Sequence, residues 1–375
     1  MAEALKRRGW RITLIEPDSA PLSLPERFDD VRRIPSPADV APPKPNRRMV
    51  SHADVLEWFG YDRAAFVFQR LLLWTKLFDE LKPDVIATDH APCATLAARG
   101  RYPVMAVGSA CLLPPWSMPS FPRLRSFAQN APRQEADQTA MLRAVNQALT
   151  MTGRAPLSVL PELYRADDVC CATLPLLDAY HAQRPIPTIP TAPPPGNRRA
   201  SGSDLVVYVT AMPHRVADAI VEGTILSGLP AVLAMPFAGP KLLARAQDAG
   251  LDVREAQIGL DELATRTKLA FHAGTFGFAA FMAQLGAPQV ALGTDYERNI
   301  NAALVERAGI AMRIPPLVSR NPRAIADVLR EAWESEALTA RARTVADELA
   351  AVPVPDPYEV TADRLAVLAR GRESL

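Results

Sequence analysis

The chain has 375 residues, 49% of them apolar and 22% charged, a composition typical of folded globular domains and one that excludes extensive disorder. Forty-two basic against 41 acidic residues leave a net charge of +1, so no strong field marks a nucleic-acid partner. The length suffices for two domains, each with its own core. In chain order, Met1 to Gly9 reads as the end of an amphipathic helix, followed by a strand from Arg11 to Glu16. A helix feeding a strand is the middle of a βαβ unit. The strand expected before it would lie upstream of Met1; a start placed too far downstream is favoured, and a complete chain using other groups is the alternative. Residues 17–50 are proline-rich and loop-like. One long helix is expected from His52 to Leu81, with Val55, Leu56, Phe59, Phe66, Leu71 and Leu72 among its apolar residues.

Val85–Asp89 reads as a short buried strand, a helix follows from Ala94, and Val104–Gly108 is the next strand, an α/β rhythm. Residues 112–125 carry prolines and aromatics, among them Trp116 and Phe121; such a loop is either a wall for a hydrophobic small molecule or an ordinary surface loop. The proline-rich run Gln183–Arg199 is expected to link two domains. After it, strands at 205–209, 231–234, 268–271, 290–292 and 311–314 alternate with helices at 217–226, 241–249 and 299–308, and Asp356–Leu375 reads as a separate terminal helix. The expected division is therefore 1–182, a linker at 183–199, 200–352, and a tail at 353–375. Cys93, Cys111, Cys170 and Cys171 show neither metal spacing nor a secreted disulfide pattern. With no signal peptide at Met1 and no run of roughly 18 apolar residues, a cytoplasmic protein without a transmembrane segment is expected.

The most informative stretch is Leu269-Ala-Phe-His272-Ala-Gly274-Thr275-Phe-Gly277, continued by Gly286-Ala-Pro-Gln289 and Glu297-Arg298-Asn-Ile-Asn301-Ala302. It reads as a strand ending in a glycine turn, a helix, a second strand, and a polar turn opening another helix. In a doubly wound sheet that order places backbone N–H groups at the strand carboxyl ends, where phosphates bind.

These three blocks, at unbroken spacing, resemble the donor-binding signature of GT-B glycosyltransferases of the UDP-glycosyltransferase type (family 1, the bacterial macrolide and flavonoid group). More loosely, Lys82–Ala98 and Pro103–Gly108 resemble the acceptor domain of that family. The resemblance implies an α/β fold of GT-B type: two Rossmann-like doubly wound domains with a cleft between them and a terminal helix folding back to the first. It implies transfer of a sugar from a nucleoside diphosphate donor, such as a UDP- or TDP-sugar, to a small hydroxylated and hydrophobic acceptor, with no metal and no other cofactor. Donor contacts would fall to Thr210, His272, Gly274, Thr275, Gly277, Glu297, Arg298 and Asn301, with Glu297 on the sugar hydroxyls. Asp89 stands where many members keep the aspartate that orients a catalytic histidine, and His90 is its neighbour, so these two are the catalytic candidates.

Departures matter as much. Ala273 stands where the family holds the diphosphate with a histidine, Arg298 replaces an amide, residues 252–257 carry no aromatic for the base, and the Gly-His turn that supplies the family's catalytic base is not in this chain. His272 has an alternative reading as a buried strand-end histidine with a backbone partner, His90 as a cap of the following helix, and His214 as a residue near a diphosphate. A non-catalytic nucleotide-sugar-binding relative and a sugar-nucleotide epimerase stay open beside the transferase. Acceptor, donor sugar and oligomeric state are not fixed by the sequence.

Overall fold

The computed structural model describes residues 1–18, 25–36, 49–124, 136–191, 198–209, 212–254, 258–315 and 318–372. The chain forms two compact units, one of Met1–Ala172, Tyr180–Pro190 and Pro355–Leu375, the other of Thr173–Ala179 and Thr191–Val354.

In the first unit, α1 (Ala2–Arg7) leads into β1 (Thr13–Pro17), which pairs in parallel with β2 (Asp30–Ile34). The sequence gives no warning of β2, because only Ile34 of its five residues is buried and its two arginines face solvent. The single helix expected over 52–81 is two, α2 (His52–Phe59) and α3 (Ala64–Leu81), with Gly60 in the left-handed region closing the first. A parallel sheet of β3 (Ile86–Asp89), β4 (Val104–Gly108) and β5 (Asp168–Cys171) follows, with α4 (Pro92–Ala98) and α5 (Gln138–Met151) in its connections. Among the described residues β1–β2 and β3–β4–β5 are separate sheets. The terminal helix α13 (Pro357–Arg372) belongs to this unit: Ala362 and Leu365 share an apolar cluster with Leu5, Met105 and Cys170, and Arg364 forks onto Asp168.

The second unit holds β6 (Asp204–Tyr208), α6 (His214–Ser227), β7 (Ala231–Ala234), α7 (Pro240–Asp248), β8 (Asp252–Arg254), α8 (Leu260–Arg266), β9 (Thr267–His272), α9 (Phe276–Leu285), β10 (Gln289–Ala291), α10 (Tyr296–Arg307) and β11 (Ala311–Arg313). Helices α11 (Pro322–Glu334) and α12 (Glu336–Ala350) complete it. Its six strands are all parallel in the order β11-β10-β9-β6-β7-β8. The chain winds outward from β6 one way, then returns to start again at β9, so the topological switch lies between β6 and β9. Successive β6 side chains serve opposite faces. Leu205 and Val207 pack with Ile220 of α6, Ala246 of α7 and Ile325 of α11, whereas Val206 packs with Leu263 of α8 and Met282 of α9. Burial on both faces explains why these strands read as continuous apolar runs. No helix among the described residues is long and apolar enough to cross a membrane.

Candidate functional site

At the carboxyl end of β9 the chain turns through Ala273 and Gly274 into α9. Gly274 has φ +77°, and a Cβ there would stand 2.3 Å from the Arg298 carbonyl oxygen, so the close approach of this turn to the start of α10 requires glycine. Three side chains fix the turn. The Gly274 N–H donates to His272 Nδ1 at 3.0 Å, which leaves the ring proton on Nε2, and Nε2 donates to Gln289 Oε1 at 2.8 Å. Asn301 Nδ2 donates to the Gly274 carbonyl at 3.0 Å. His272 has no exposed surface; burial lowers its pKa to about 4, with the Gln289 bond opposing, so the ring is neutral.

Two of the expected donor-contact side chains, His272 and Asn301, already have partners inside the fold. Both ring nitrogens of His272 are engaged inside the fold, one of them with the Gly274 backbone N–H. Asn301 is likewise buried and spends its amide on the turn. Gln289 does as much as either, yet the sequence marks it only as the end of a spacing block.

What remains open to a ligand is the first turn of α9. Thr275 is the N-cap residue but makes no cap bond, and its buried hydroxyl has no partner among the described residues. Gly277 is exposed and a Cβ there would meet nothing; its lack of a side chain leaves space before the helix rather than relieving a clash. The first N–H groups of a helix have no intrahelical acceptor, so this end attracts an anion. Glu297 and Arg298 lie half-buried in the first turn of α10. Asp295, the N-cap of α10, accepts from the Arg298 N–H at 2.9 Å and lies 3.3 Å from its Nε, so part of the Arg298 charge is already offset. Thr210 lies outside the described residues.

In the same unit a pocket of about 450 Å³ opens between the carboxyl ends of β6 and β7 and the starts of α6 and α7. Val209, Met212 and Met235 line it, with His214 and Lys241 among its polar residues.

In the first unit, His90 follows β3 with φ +45°. Its Nε2 is 3.4 Å from Tyr164 Oη, which is 2.6 Å from Nε2 of the fully buried His52. Burial lowers His90 to about 4 and holds His52 well below its ordinary value, His90 adding to the effect, so both are neutral. Asp89 turns elsewhere: its Oδ1 lies 3.2 Å from where a Cβ on Gly108 would stand, and partial desolvation raises its carboxyl. No hydrogen bond joins Asp89 to His90, so the two do not form a carboxylate–histidine pair; Asp89 is the last residue of β3 and His90 lies beyond it in the left-handed region. Nor does His90 cap α4, whose N-cap is Ala91. Tyr164 and His52 escape sequence reading because the contacts span 74 and 112 residues. The expected loop wall does contribute Leu113 and Trp116 to a shallow pocket with Tyr164 and Ile186, and Arg165 stacks over Trp116 at 5.1 Å.

No protein-family model matches the chain, and no curated protein sequence matches it. Solved structures do. The spinosyn rhamnosyltransferase SpnG is 19% identical with a TM-score of 0.63, the match covering 98% of this chain and 94% of that one. The calicheamicin glycosyltransferase CalG4 is 16% identical with a TM-score of 0.64, over 98% of this chain and 93% of that one. The glycosyltransferase SsfS6 of Streptomyces sp. SF2575, solved with thymidine diphosphate, is 16% identical with a TM-score of 0.60, over 100% and 94%. SpnG has also been solved with the spinosyn aglycone and with thymidine diphosphate. At these identities the likeness is one of fold, and the chain has the GT-B α/β fold of these glycosyltransferases.

Proposed function

We propose that the chain is a glycosyltransferase that moves a sugar from a nucleoside diphosphate to a hydroxyl of a small, hydrophobic acceptor. The observation that carries this reading is the braced turn Ala273–Thr275 at the switch point of the second unit, which presents the uncapped start of α9 to an anion. The shared fold with glycosyltransferases crystallised with thymidine diphosphate supports the same assignment, and the SpnG complex with an aglycone favours transfer over epimerisation.

In this reading the second unit binds the donor. As the acceptor oxygen forms its bond to the anomeric carbon, the bond from that carbon to the diphosphate oxygen breaks, and the diphosphate leaves with the electron pair. The N–H groups of the α9 first turn, with Arg298 close by, stabilise the charge that develops there. The acceptor proton passes to a base, for which we assign His90 of the first unit, neutral and therefore able to receive it. Asp89 acts through the local field rather than by holding the ring. The reaction needs no metal, and EDTA is expected to leave turnover unchanged. Four buried cysteine thiols suit a reducing compartment such as the cytoplasm.

The test is titration calorimetry with UDP, TDP and their sugars, followed by product analysis with hydrophobic phenol and macrolide acceptors. Micromolar donor binding with glycosylated product supports the proposal. Absence of binding by every nucleotide sugar overturns it; conversion of a donor with no acceptor added would replace transfer by epimerisation.

A further inference from the structure

Asp89 does not hold the ring of His90, but a tyrosine and a second histidine are placed to do so. Tyr164 Oη lies 3.4 Å from His90 Nε2 and 2.6 Å from Nε2 of His52, which has no exposed surface. A tyrosine hydroxyl carries one hydrogen, so it bonds both rings only by donating to one and accepting from the other. If it donates to His90, that Nε2 lone pair is occupied, the ring proton sits on Nδ1, and neither nitrogen is free to take another proton. If it donates to His52, His90 Nε2–H donates to Oη and Nδ1 keeps a free lone pair. Only the second arrangement serves a base. Burial raises Tyr164 well above the ordinary phenol value, with Cys93 and Cys111 adding to the effect, so the hydroxyl keeps its proton.

Each partner is fixed in turn. Tyr164 ends the 3-10 helix Leu160–Tyr164, in which the Glu162 carbonyl accepts from Arg99 Nη2 at 2.6 Å. His52 opens α2, whose start is pinned by the buried Asp54: its Oδ2 accepts from the Val50 and Ser51 N–H groups at 2.9 Å, and its Oδ1 from the Ala136 N–H at 3.0 Å. The rings of Phe121 and Phe59 pack 5.2 Å from His52 and 5.8 Å from His90. His90 keeps a left-handed backbone, which a residue with a side chain holds only where its surroundings impose it. We propose that Tyr164 and His52 are positioning residues for the base: Oη accepts from His90 Nε2–H, donates to His52 Nε2, and leaves His90 Nδ1 to receive the proton of the acceptor hydroxyl. This rests on His90 as the base. The proton goes to Nδ1, and the electron pair it leaves forms the bond to the anomeric carbon. The imidazolium then donates to Oη more strongly than the neutral ring. Its charge stays on His90, which reaches solvent in part, rather than passing to the wholly buried His52.

Long-range proton–nitrogen NMR spectra of the native chain labelled with 15N-histidine, near neutral pH, test the arrangement, each ring being assigned by its loss in His52→Gln or His90→Gln. His52 is expected with its proton on Nδ1 and His90 with its proton on Nε2; the reverse at either ring overturns the proposal. In turnover, Tyr164→Phe and His52→Leu are expected to lower kcat at least about tenfold through misplacement of the base, with KM for the donor unchanged. His52→Gln should recover kcat, because its amide oxygen accepts from the hydroxyl in place of Nε2. Melting temperatures establish that each variant is folded, and the spectra of the native chain decide the matter where one is not. If His90→Gln is inactive while Tyr164→Phe turns over as the native chain does, the positioning role is overturned and the base stands. If His90→Gln turns over like the native chain, the base assignment falls and the positioning role with it.

Discussion

Gly274 and Gly277 are separated by two residues and do opposite things. A side chain on Gly274 runs into the Arg298 carbonyl at 2.3 Å and must also adopt a left-handed backbone, whereas one on Gly277 meets nothing. Gly274→Ala is therefore expected to cost roughly 2–4 kcal/mol of stability, as strained or overpacked substitutions do, measured by urea unfolding. Gly277→Ala should leave stability unchanged and still weaken diphosphate binding, because its methyl group fills the space in front of the α9 N–H groups. Equal stability of the two variants would contradict the brace. Glu297 belongs to the same scale. Half-buried in the first turn of α10, it is assigned to sugar hydroxyls, so Glu297→Ala should reduce discrimination between donor sugars more than affinity for UDP itself. Parallel losses for UDP and UDP-sugar would remove that assignment.

At the scale of elements, α13 shows what one helix contributes. Leu365 is 2% exposed, Thr361 bonds Cys170 Sγ at 2.9 Å, and Arg364 engages Asp168, so the helix is tied to α1, β4 and β5 by apolar and polar contacts together. Leu365→Ala is expected to destabilise the first unit by about 2–4 kcal/mol, read as an earlier transition from a probe in that unit, such as Trp74, with the second unit unmoved. The terminal helix was legible in the sequence because proline precedes it at 353 and 355. So were the strands of the second unit, whose apolar runs record burial on both faces. Other features left no such record. β2 is mostly exposed, β8 has three residues, and the break at Gly60 interrupts a helix whose apolar spacing continues beyond it. The site was legible as a spacing from His272 to Ala302. What the spacing could not say is that His272, Gln289 and Asn301 bond with one another or with the turn, since that depends on which side of β9 and α10 each occupies.

For the whole molecule, the buried His52 and His272 and the half-buried His90 define how it responds to acid. His272 in the second unit and His90 in the first are lowered to about 4, and His52 lies well below its ordinary value, in each case chiefly because burial opposes the charged ring. In the unfolded chain each would titrate near 6.5. Between those values the unfolded state binds more protons than the folded state, so stability must rise with pH across the window and fall as acid is added. Each histidine contributes a slope of about 1.4 kcal/mol per pH unit once the unfolded form is fully protonated. The loss begins near pH 6.5 and levels off near 4 for His272 and His90, with His52 adding in the same direction. Protonation of His272 would also set an Nδ1–H against the Gly274 N–H that it now accepts from, which releases the donor turn. His272→Gln is therefore expected to remove one proton from the dependence in the second unit while leaving that of the first intact. Urea unfolding between about pH 6.5 and 5, above the range in which most carboxylates titrate, measures it. Stability that stays flat across this interval in the native chain would mean that these rings are charged or solvated in the folded protein, and the braced turn as described could not then exist.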